Sequence, residues 1–237
     1  MKLPPVHADF DYQLGGPYVP PSGVKVVSRD RTAKPADGVY SICYVNAFQA
    51  QPDALDWWKS NHPDLLLRRG GEIVMDTDWN EAVLDTSTEQ KRTALAAIVG
   101  GWIDGCAASG FKAIDPDNLD SFQRSQGALT QADNVAFARL IVQRAHTDGL
   151  AAGQKNAGEL LAQHAVIGFD FAMVEECGTY NECGGYARVY GGRVYDTEYT
   201  DGGLAAACSA WQGKISIIRR DHDLTPAGSG GYVYRGC

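Results

Sequence analysis

The sequence predicts a (β/α)8 barrel of the TIM type, formed by residues 1–237 as one domain. Eight short apolar runs rich in Val, Ile and Phe alternate with amphipathic stretches, a pattern typical of parallel strands joined by helices. Of the 237 residues, 44% are hydrophobic, which is enough to form one large core. Because this barrel usually needs about 250 residues, we expect short connections between its elements.

The eight apolar runs are the candidate barrel strands. In chain order they are Phe10–Leu14, Val24–Ser28, Val39–Val45, Phe111–Ile114, Leu150–Gln154, Phe169–Val174, Arg193–Thr197 and Lys214–Ile218. Runs of this length and composition predict buried strands, and eight of them alternating with helices favour a closed barrel.

Two amphipathic stretches predict the long helices that lead into the fourth and fifth strands. In the first, apolar residues recur at spacings of three and four over 95–106, and Ser87 with Gln90 resembles a capping box. The second is predicted from Gln131 to about Asp148, with Thr130 as its N-cap. The apolar face predicted for this second helix comprises Phe137, Leu140, Ile141 and Ala145.

Residues Gln49–Glu81 interrupt the alternation of strands and helices. The segment is polar in places, and it is longer than the connections usual between neighbouring elements. We therefore interpret it as an elaborated loop after the third strand, with Glu72–Met75 as a short extra strand.

The charge of the chain and its missing motifs exclude several classes of function. Asp and Glu outnumber Lys and Arg by 29 to 21, which gives a net charge of -8 and argues against nucleic acid or an anionic membrane as partner. No apolar run is long enough to span a bilayer. GxSxG, P-loop and GxGxxG motifs are also missing, which argues against serine hydrolases, P-loop hydrolases and dinucleotide enzymes. We expect a neutral or cationic substrate, and nothing in the sequence demands more than a monomer.

The six cysteines favour disulfides over a metal site. They lack the paired CxxC spacing of zinc ligands, and the five histidines form no HExxH motif. An even number of cysteines favours an exported, extracellular protein, although residues 1–7 lack the apolar h-region of a signal peptide. Six reduced cysteines in a cytosolic protein are the alternative, and spacing alone does not fix the connectivity. We expect Cys177 to pair with Cys183, which closes a small loop, and Cys208 to pair with Cys237, which holds the last residue in place. Cys43 and Cys106 are then left as the third pair.

Polar residues at the C-terminal ends of the strands are the candidate active-site residues, because active sites of these barrels lie at that face. Carboxylates dominate the set, and a pair of carboxyl groups on opposite sides of a bond is what glycoside hydrolysis requires. Asp117 and Glu175 are the candidate pair, because their strands are next but one in the predicted barrel. The complete set is Tyr44, Asn46, Asp115, Asp117, Asn118, Asp120, Lys155, Asn156, Glu175, Glu176, Glu198, Tyr199, Arg219 and Asp221.

Several of these residues also admit other interpretations. Lys155 can keep a carboxylate ionised, and its role as a Schiff-base lysine is disfavoured because the nearby acids keep an amine protonated. The acids from Asp115 to Asp120 resemble a site for a hard cation but lack the DxDxDG loop, so we expect no metal and no cofactor. Four tryptophans are candidate platforms for sugar rings, with core packing as an equal alternative, and these are Trp57, Trp58, Trp79 and Trp211.

Four segments carry a resemblance to a known family. Ile42–Asn46, Ile114–Asp120, Gln154–Asn156 and Glu175–Cys183 occur in this order, within a match that extends from about residue 9 to residue 221. The PDN tripeptide of the second segment and the ExCxxYxEC pattern of the fourth are its most specific parts. Together they resemble glycoside hydrolase family 114, the endo-α-1,4-polygalactosaminidases.

The resemblance implies a secreted (β/α)8 barrel that hydrolyses chains of α-1,4-linked galactosamine, fully or partly N-acetylated. Carried over to this sequence, it makes Asp117 and Glu175 the catalytic pair. Likeness to other α-acting barrel hydrolases then implies that Asp117 is the nucleophile and Glu175 the general acid/base of a retaining mechanism. The further candidate substrate-binding residues are Tyr44, Asn46, Asp115, Asn118, Asp120, Lys155, Asn156, Glu182, Glu198 and Tyr199.

The acidic character of the chain agrees with a galactosamine polymer as partner. Free galactosamine units carry ammonium groups near neutral pH, so a cleft lined by carboxylates is expected to attract them, and salt is expected to weaken the attraction. A barrel hydrolase acting on another α-linked polysaccharide and a non-catalytic carbohydrate-binding barrel are the alternative functions.

Overall fold

The computed structural model describes residues 1–237 and contains fourteen strands, seven α-helices and two 3-10 helices. The strands are β1 (Phe10–Gln13), β2 (Val26–Asp30), β3 (Tyr40–Asn46), β4 (Gln49–Ala50), β5 (Arg68–Arg69), β6 (Glu72–Ile73), β7 (Met75–Asp76), β8 (Glu81–Val83), β9 (Ala113–Asp117), β10 (Ala151–Lys155), β11 (Phe171–Glu175), β12 (Val194–Glu198), β13 (Ser216–Arg220) and β14 (Tyr234–Gly236). The α-helices are α1 (Leu55–Asn61), α2 (Glu89–Ser109), α3 (Ser121–Arg124), α4 (Gln131–Thr147), α5 (His164–Ile167), α6 (Cys183–Tyr190) and α7 (Asp201–Trp211), and the 3-10 helices are Pro63–Leu65 and Gly158–Gln163.

Nine strands form one curled sheet in the order β1-β2-β3-β9-β10-β11-β12-β13-β14. The first eight pair in parallel with their neighbours, and β14 pairs antiparallel with β13. These eight are the predicted strands, so the (β/α)8 fold is confirmed. Most of these strands begin one or two residues later than predicted. They also end later, because the polar residues that follow the apolar runs belong to the strands.

A buried arginine joins the two ends of the barrel. β1 lies against β13, but no backbone ladder connects them. Arg220 of β13 is fully buried, and its guanidinium donates to Asp11 Oδ1 at 2.7 Å and to the carbonyl oxygen of Tyr12. It also donates to the carbonyl oxygens of Thr225 at 2.9 Å and Val233 at 2.8 Å. Arg220 therefore supplies the hydrogen bonds that a strand pair would otherwise supply.

The core has two parts, and the interior of the barrel determines where the site lies. One apolar cluster, which includes Val99 and Phe137, lies between the sheet and the helices, and a second, which includes Phe10 and Phe171, fills the barrel interior. Successive residues of a strand alternate between these two parts. Towards the C-terminal ends the inward positions become polar, so the charged side chains collect at one mouth of the barrel.

The two long helices occur where they were predicted, with small differences at their caps and faces. The N-cap of α2 is Thr88, which has the extended backbone that capping requires, so the capping box predicted at Ser87 is wrong by one residue. α4 begins at a capping box formed by Thr130 and Asp133. Leu140 was predicted on the buried face of α4 but is 38% exposed, because it lies beside the stripe that contacts the sheet.

The segment after β3 is an elaborated insertion, as predicted. β4, β7 and β8 form a small antiparallel sheet, and β5 pairs with β6. The predicted extra strand at Glu72–Met75 is divided between β6 and β7. The insertion places Trp79 and Glu81 at the C-terminal mouth of the barrel.

Three disulfides connect the six cysteines in the predicted pairs. Their Cα–Cα distances are 6.1 Å for Cys43–Cys106, 4.8 Å for Cys177–Cys183 and 5.7 Å for Cys208–Cys237, all within the usual range. The first joins β3 to α2, and the third ties the last residue to α7. None of the helices is long and apolar enough to cross a membrane.

We expect removal of the Cys43–Cys106 disulfide to destabilise the protein more than removal of Cys177–Cys183. The two bridges close loops with sequence separations of 63 and 6 residues. Chain entropy assigns them about 4 and about 2 kcal/mol, respectively, of unfolding free energy. Urea unfolding of the two double Cys→Ala variants measures the difference. Equal losses would show that chain entropy is not the main contribution.

Candidate active site

A cleft opens at the C-terminal ends of the barrel strands. Its central cavity has a volume of about 450 Å³. A second cavity of about 490 Å³ adjoins it, and Glu175 and Tyr199 line both, so the two form one elongated cleft. The predicted site residues that line the central cavity are Tyr44, Asp117, Asn118, Asp120, Lys155, Asn156, Glu175 and Tyr199, and Glu182 lines the second.

Lys155 lies between the two predicted catalytic carboxylates at the floor of the cleft. Its Nζ is 3.2 Å from Asp117 Oδ1 and 3.2 Å from Glu175 Oε2, and it donates to the Tyr12 hydroxyl at 2.8 Å. Its side chain is only 3% exposed, and the surrounding carboxylates outweigh the effect of burial and hold its pKa well above the ordinary value. The ammonium is therefore a permanent cation between the two acids.

Asp117 is held as a carboxylate by three donors. Burial pushes its pKa up, but Lys155, the Tyr44 hydroxyl and the Asn118 backbone N–H together bring the pKa below the usual Asp value. Tyr44 donates to Oδ2 at 2.7 Å and the Asn118 N–H donates to Oδ1 at 2.8 Å. Asn118 reaches this position in the left-handed region at φ 64°, which Asn tolerates better than most residues. Asp117 is thus ionised and fixed in orientation.

Glu175 is positioned by its neighbours on the adjacent strands. The Asn156 amide donates to Oε2 at 3.0 Å and accepts from the Glu175 backbone N–H at 2.8 Å, so one side chain fixes both the carboxylate and the strand end. The Tyr199 hydroxyl donates to Oε1. Burial raises the pKa of Tyr199 well above its ordinary value, which keeps the hydroxyl protonated as a donor. Glu175 faces the cleft with a defined geometry.

Replacement of Lys155 with Met is expected to shift the acidic limb of kcat/KM to higher pH. Without the ammonium, burial dominates and the pKa of Asp117 rises. As the pH falls, the ionised form that the predicted nucleophile requires is then lost at a higher pH than in the wild-type protein. The shift should be about 1 to 3 pH units, measured from the pH dependence of kcat/KM. Lys214→Met, on the exposed surface beside Trp211, is the matched control. An unmoved acidic limb would contradict this role of Lys155.

Three predicted substrate-binding residues lie outside the cleft lining. Glu198 is fully buried and accepts from the Gly178 N–H and the Thr179 hydroxyl, each at 2.7 Å, so it supports the loop after β11. Asp115 is fully buried in the barrel interior below Asp117, where burial raises its pKa to about 7. Asn46 is 5% exposed and lies behind the lining. The structure therefore corrects the direct substrate contacts predicted for these three residues.

Asn46 positions two neighbouring side chains, those of Glu81 and Asn118. Its side chain donates to Glu81 Oε2 at 2.9 Å and accepts from the Asn118 amide at 3.0 Å. Arg219 within β13 and Asp221 directly after it, both in the predicted set, also lie outside the lining of the central cavity. Arg219 pairs with Asp201 at 2.6 Å, and Asp221 accepts from the Thr225 N–H at 2.8 Å. These side chains maintain the loops around the mouth of the barrel.

Tyr12, Glu81 and His222 also line the cleft, although none of them was predicted from the sequence. Tyr12 lies at the C-terminal end of the first strand, where the barrel rule applies equally, and His222 directly follows Asp221. Glu81 comes from the insertion, which has no barrel register to place it. Trp79, one of the predicted sugar platforms, comes from the same insertion and also lines the cleft. The rings of Trp79 and His222 stack at 5.4 Å with an angle of 2° over the cleft. Trp79 is thus a candidate sugar platform, whereas Trp58 is 1% exposed and belongs to the core.

Comparison with known proteins agrees with this geometry. The crystal structure of Aspergillus fumigatus Ega3 in complex with galactosamine matches 100% of this chain and 97% of that chain, at 23% sequence identity and a TM-score of 0.77. The glycoside hydrolase domain of PelA from Pseudomonas aeruginosa matches 93% of this chain and 97% of that chain, at 17% identity and a TM-score of 0.67. Both likenesses show the same barrel fold.

A comparison with curated protein sequences gives no match. The glycoside-hydrolase family GH114 matches residues 1–237, which is the whole chain. The protein therefore belongs to glycoside-hydrolase family GH114 and is a glycoside hydrolase.

Proposed function

We propose that the protein is an endo-acting hydrolase of α-1,4-linked galactosamine polymers, fully or partly N-acetylated, with Asp117 and Glu175 as its catalytic residues. The observation that carries the proposal is the placement of these two carboxylates on either side of Lys155 at the floor of an elongated cleft. The galactosamine bound to Ega3 supports the choice of sugar. The proposed partner is thus a polysaccharide that carries positive charge where it is deacetylated.

In the proposed reaction, Asp117 is the nucleophile and Glu175 is the general acid/base. An Asp117 oxygen attacks the anomeric carbon while Glu175 donates a proton to the leaving glycosidic oxygen, so the glycosidic bond breaks and a glycosyl ester forms. Glu175 then takes a proton from water, and the resulting hydroxide displaces Asp117 from the anomeric carbon. The low pKa of Asp117 supports its role, because a nucleophile must be ionised.

The two carboxylates lie close enough together for a retaining mechanism. Because Asp117 Oδ1 and Glu175 Oε2 both lie 3.2 Å from Lys155 Nζ, these two oxygens cannot be farther apart than twice that distance. A retaining pair is separated by about 5 to 5.5 Å, whereas an inverting pair stands about 6.5 to 9.5 Å apart to admit a water molecule. Proton NMR of fresh products would show the α-anomer first for retention and the β-anomer first for inversion.

The shape of the cleft supports cleavage within chains. Glu175 lies where the two cavities meet, so a polymer can extend on both sides of the catalytic pair. The test is the release of reducing ends from polygalactosamine and from other α-linked polysaccharides by the purified protein. Cleavage of galactosamine polymers supports the proposal. Cleavage only of another polysaccharide, or binding without cleavage, would replace it with one of the two alternative functions.

We also propose that the protein acts outside the cell and as a monomer. The three disulfides support an oxidising compartment. The proposed catalytic pair and the lysine between its carboxylates belong to one barrel, so the proposed chemistry requires no second chain. Size-exclusion chromatography with light scattering measures the oligomeric state directly, and a stable dimer would contradict this part of the proposal.

A further inference from the structure

Glu81 at the start of β8 brings a carboxylate from the insertion to the wall of the central cavity. The residue is only 9% exposed. Its Oε2 accepts from the Asn46 amide at 2.9 Å and from the Asn118 amide at 3.1 Å. No protein donor reaches Oε1, and this oxygen is not sealed from solvent. One oxygen of Glu81 is therefore anchored, and the other is free for a ligand.

Glu81 differs from the other carboxylates of the central cavity in lacking a cation. Asp117 and Glu175 share Lys155, and Asp120 pairs with Arg124 at 2.7 Å. Asp223 lies on the rim beside His222, at 4.0 Å, with its side chain 88% exposed. No Lys, Arg or His nitrogen lies within 4.0 Å of the Glu81 carboxylate. Glu81 is the one carboxylate in this cavity that is both buried and unpaired.

Asn118 connects Glu81 to the proposed nucleophile. Its backbone N–H donates to Asp117 Oδ1 at 2.8 Å, and its side-chain amide donates to Glu81 Oε2 at 3.1 Å. A sugar whose anomeric carbon lies over Asp117 has its second carbon one bond away. In galactosamine that carbon carries the amino group, and the carboxylate that Asn118 holds next to Asp117 is that of Glu81.

We propose that Glu81 binds the 2-ammonium group of a galactosamine unit at the cleavage site and thereby selects deacetylated units over N-acetylated ones. This inference rests on the proposed function, because it assumes that galactosamine polymers enter the cleft. A carboxylate bound to an ammonium forms a charge-assisted hydrogen bond, about twice as strong as a neutral one. An acetamido group is uncharged and carries one N–H in place of three, so it gains less from the same oxygen.

The electrostatics of Glu81 fit this role. Burial raises its pKa to about 7, and the charge of Asp117 adds to that effect, while the Asn46 and Asn118 amides oppose it. The carboxyl group is thus only partly ionised near neutral pH when no cation is present. A bound ammonium stabilises the ionised form of Glu81, so a cationic sugar supplies the positive charge that this carboxylate lacks in the protein.

Glu81→Gln tests the proposal with little change in shape. The glutamine carbonyl can accept from Asn46 and Asn118, which places its NH2 group where the free oxygen stood, facing the ligand. Binding of fully deacetylated and fully N-acetylated α-1,4-linked trisaccharides is measured by calorimetry, with Glu175→Gln as the background to prevent cleavage. We expect about a 10-fold to 100-fold loss of affinity for the deacetylated trisaccharide. Affinity for the N-acetylated trisaccharide should change less than about threefold.

Asp223→Asn in the same background is the matched control, because it removes one negative charge from the exposed rim of the cleft and leaves Glu81 and Asp117 unchanged. It should leave the preference between the two trisaccharides unchanged. Equal losses for both trisaccharides in Glu81→Gln, or no loss, would overturn the proposal. Thermal unfolding of each variant confirms that the fold is intact.

The outcome is separable from that of the proposed function. A wild-type protein that cleaves the polymer, together with a Glu81→Gln variant whose preference is unchanged, would remove this inference and leave the function. A wild-type protein that releases no reducing ends but binds the deacetylated trisaccharide through Glu81 would remove the hydrolysis and leave the binding site.

Discussion

Replacement of Glu175 with Gln, or of Asp117 with Asn, is expected to lower kcat on the polymer by at least about 100-fold to 10,000-fold. Glutamine keeps the shape of Glu175 but has no proton to donate to the leaving oxygen, and asparagine cannot form the glycosyl ester. Both amides preserve most of the hydrogen bonds around Lys155, so the polymer should still bind. Single-turnover kinetics and a separate binding measurement distinguish the loss of chemistry from a loss of affinity.

An aryl glycoside of galactosamine separates the two proposed roles. A good leaving group needs no proton, so Glu175→Gln should still release the aryl alcohol in a first burst, whereas Asp117→Asn should not. Glu176→Gln is the matched control, because Glu176 follows directly in sequence and lines only the second cavity. A wild-type rate in either catalytic variant would exclude the role assigned to that residue.

Replacement of Arg220 with Met is expected to lower the unfolding free energy by about 3 to 5 kcal/mol. The substitution leaves the Asp11 carboxylate buried without its cation, since both side chains are fully buried and lie 2.7 Å apart. It also removes the donor from three carbonyl oxygens at the junction of β1 and β13. The closure of the barrel depends on these contacts, because no backbone ladder joins the two strands.

Arg219→Met provides the matched comparison one residue earlier. Arg219 pairs with Asp201, whose side chain is 69% exposed, so its loss should cost less than about 1 kcal/mol. If Arg220→Met does not fold, the double variant Asp11→Leu with Arg220→Met removes both charges and should recover part of the stability. Urea unfolding measures all three proteins, and similar losses for Arg219→Met and Arg220→Met would contradict the role of Arg220.

The barrel and the centre of its site could be predicted because both follow from periodic patterns. Each barrel strand is an apolar run bounded by turns or helices, and parallel strands bring their C-terminal ends to one face. The order of the strands alone was therefore enough to bring Asp117, Lys155 and Glu175 together. The structure adds the contacts among them, which spacing in the sequence does not contain.

Glu198 and Asp115 were predicted to contact the substrate because the two faces of a strand, and the depth along it, were not distinguished. Adjacent residues of a strand point to opposite faces, so when Tyr199 points into the barrel, Glu198 points towards the surrounding helices. Depth along the strand matters as well, because Asp115 faces inward but lies one inward position below Asp117. Glu81 and Trp79 could not be placed, since the insertion pairs within its own small sheets and carries no register of the barrel.

The most direct test of the account is a time course of polygalactosamine cleavage by the wild-type protein and by Glu175→Gln, analysed by mass spectrometry. We expect the wild-type protein to release long oligosaccharides first and shorter ones later, as internal cleavage does, and Glu175→Gln to release none. Monosaccharide as the only early product would contradict endo-hydrolysis. An oligosaccharide ladder of equal intensity from Glu175→Gln would contradict the catalytic pair itself.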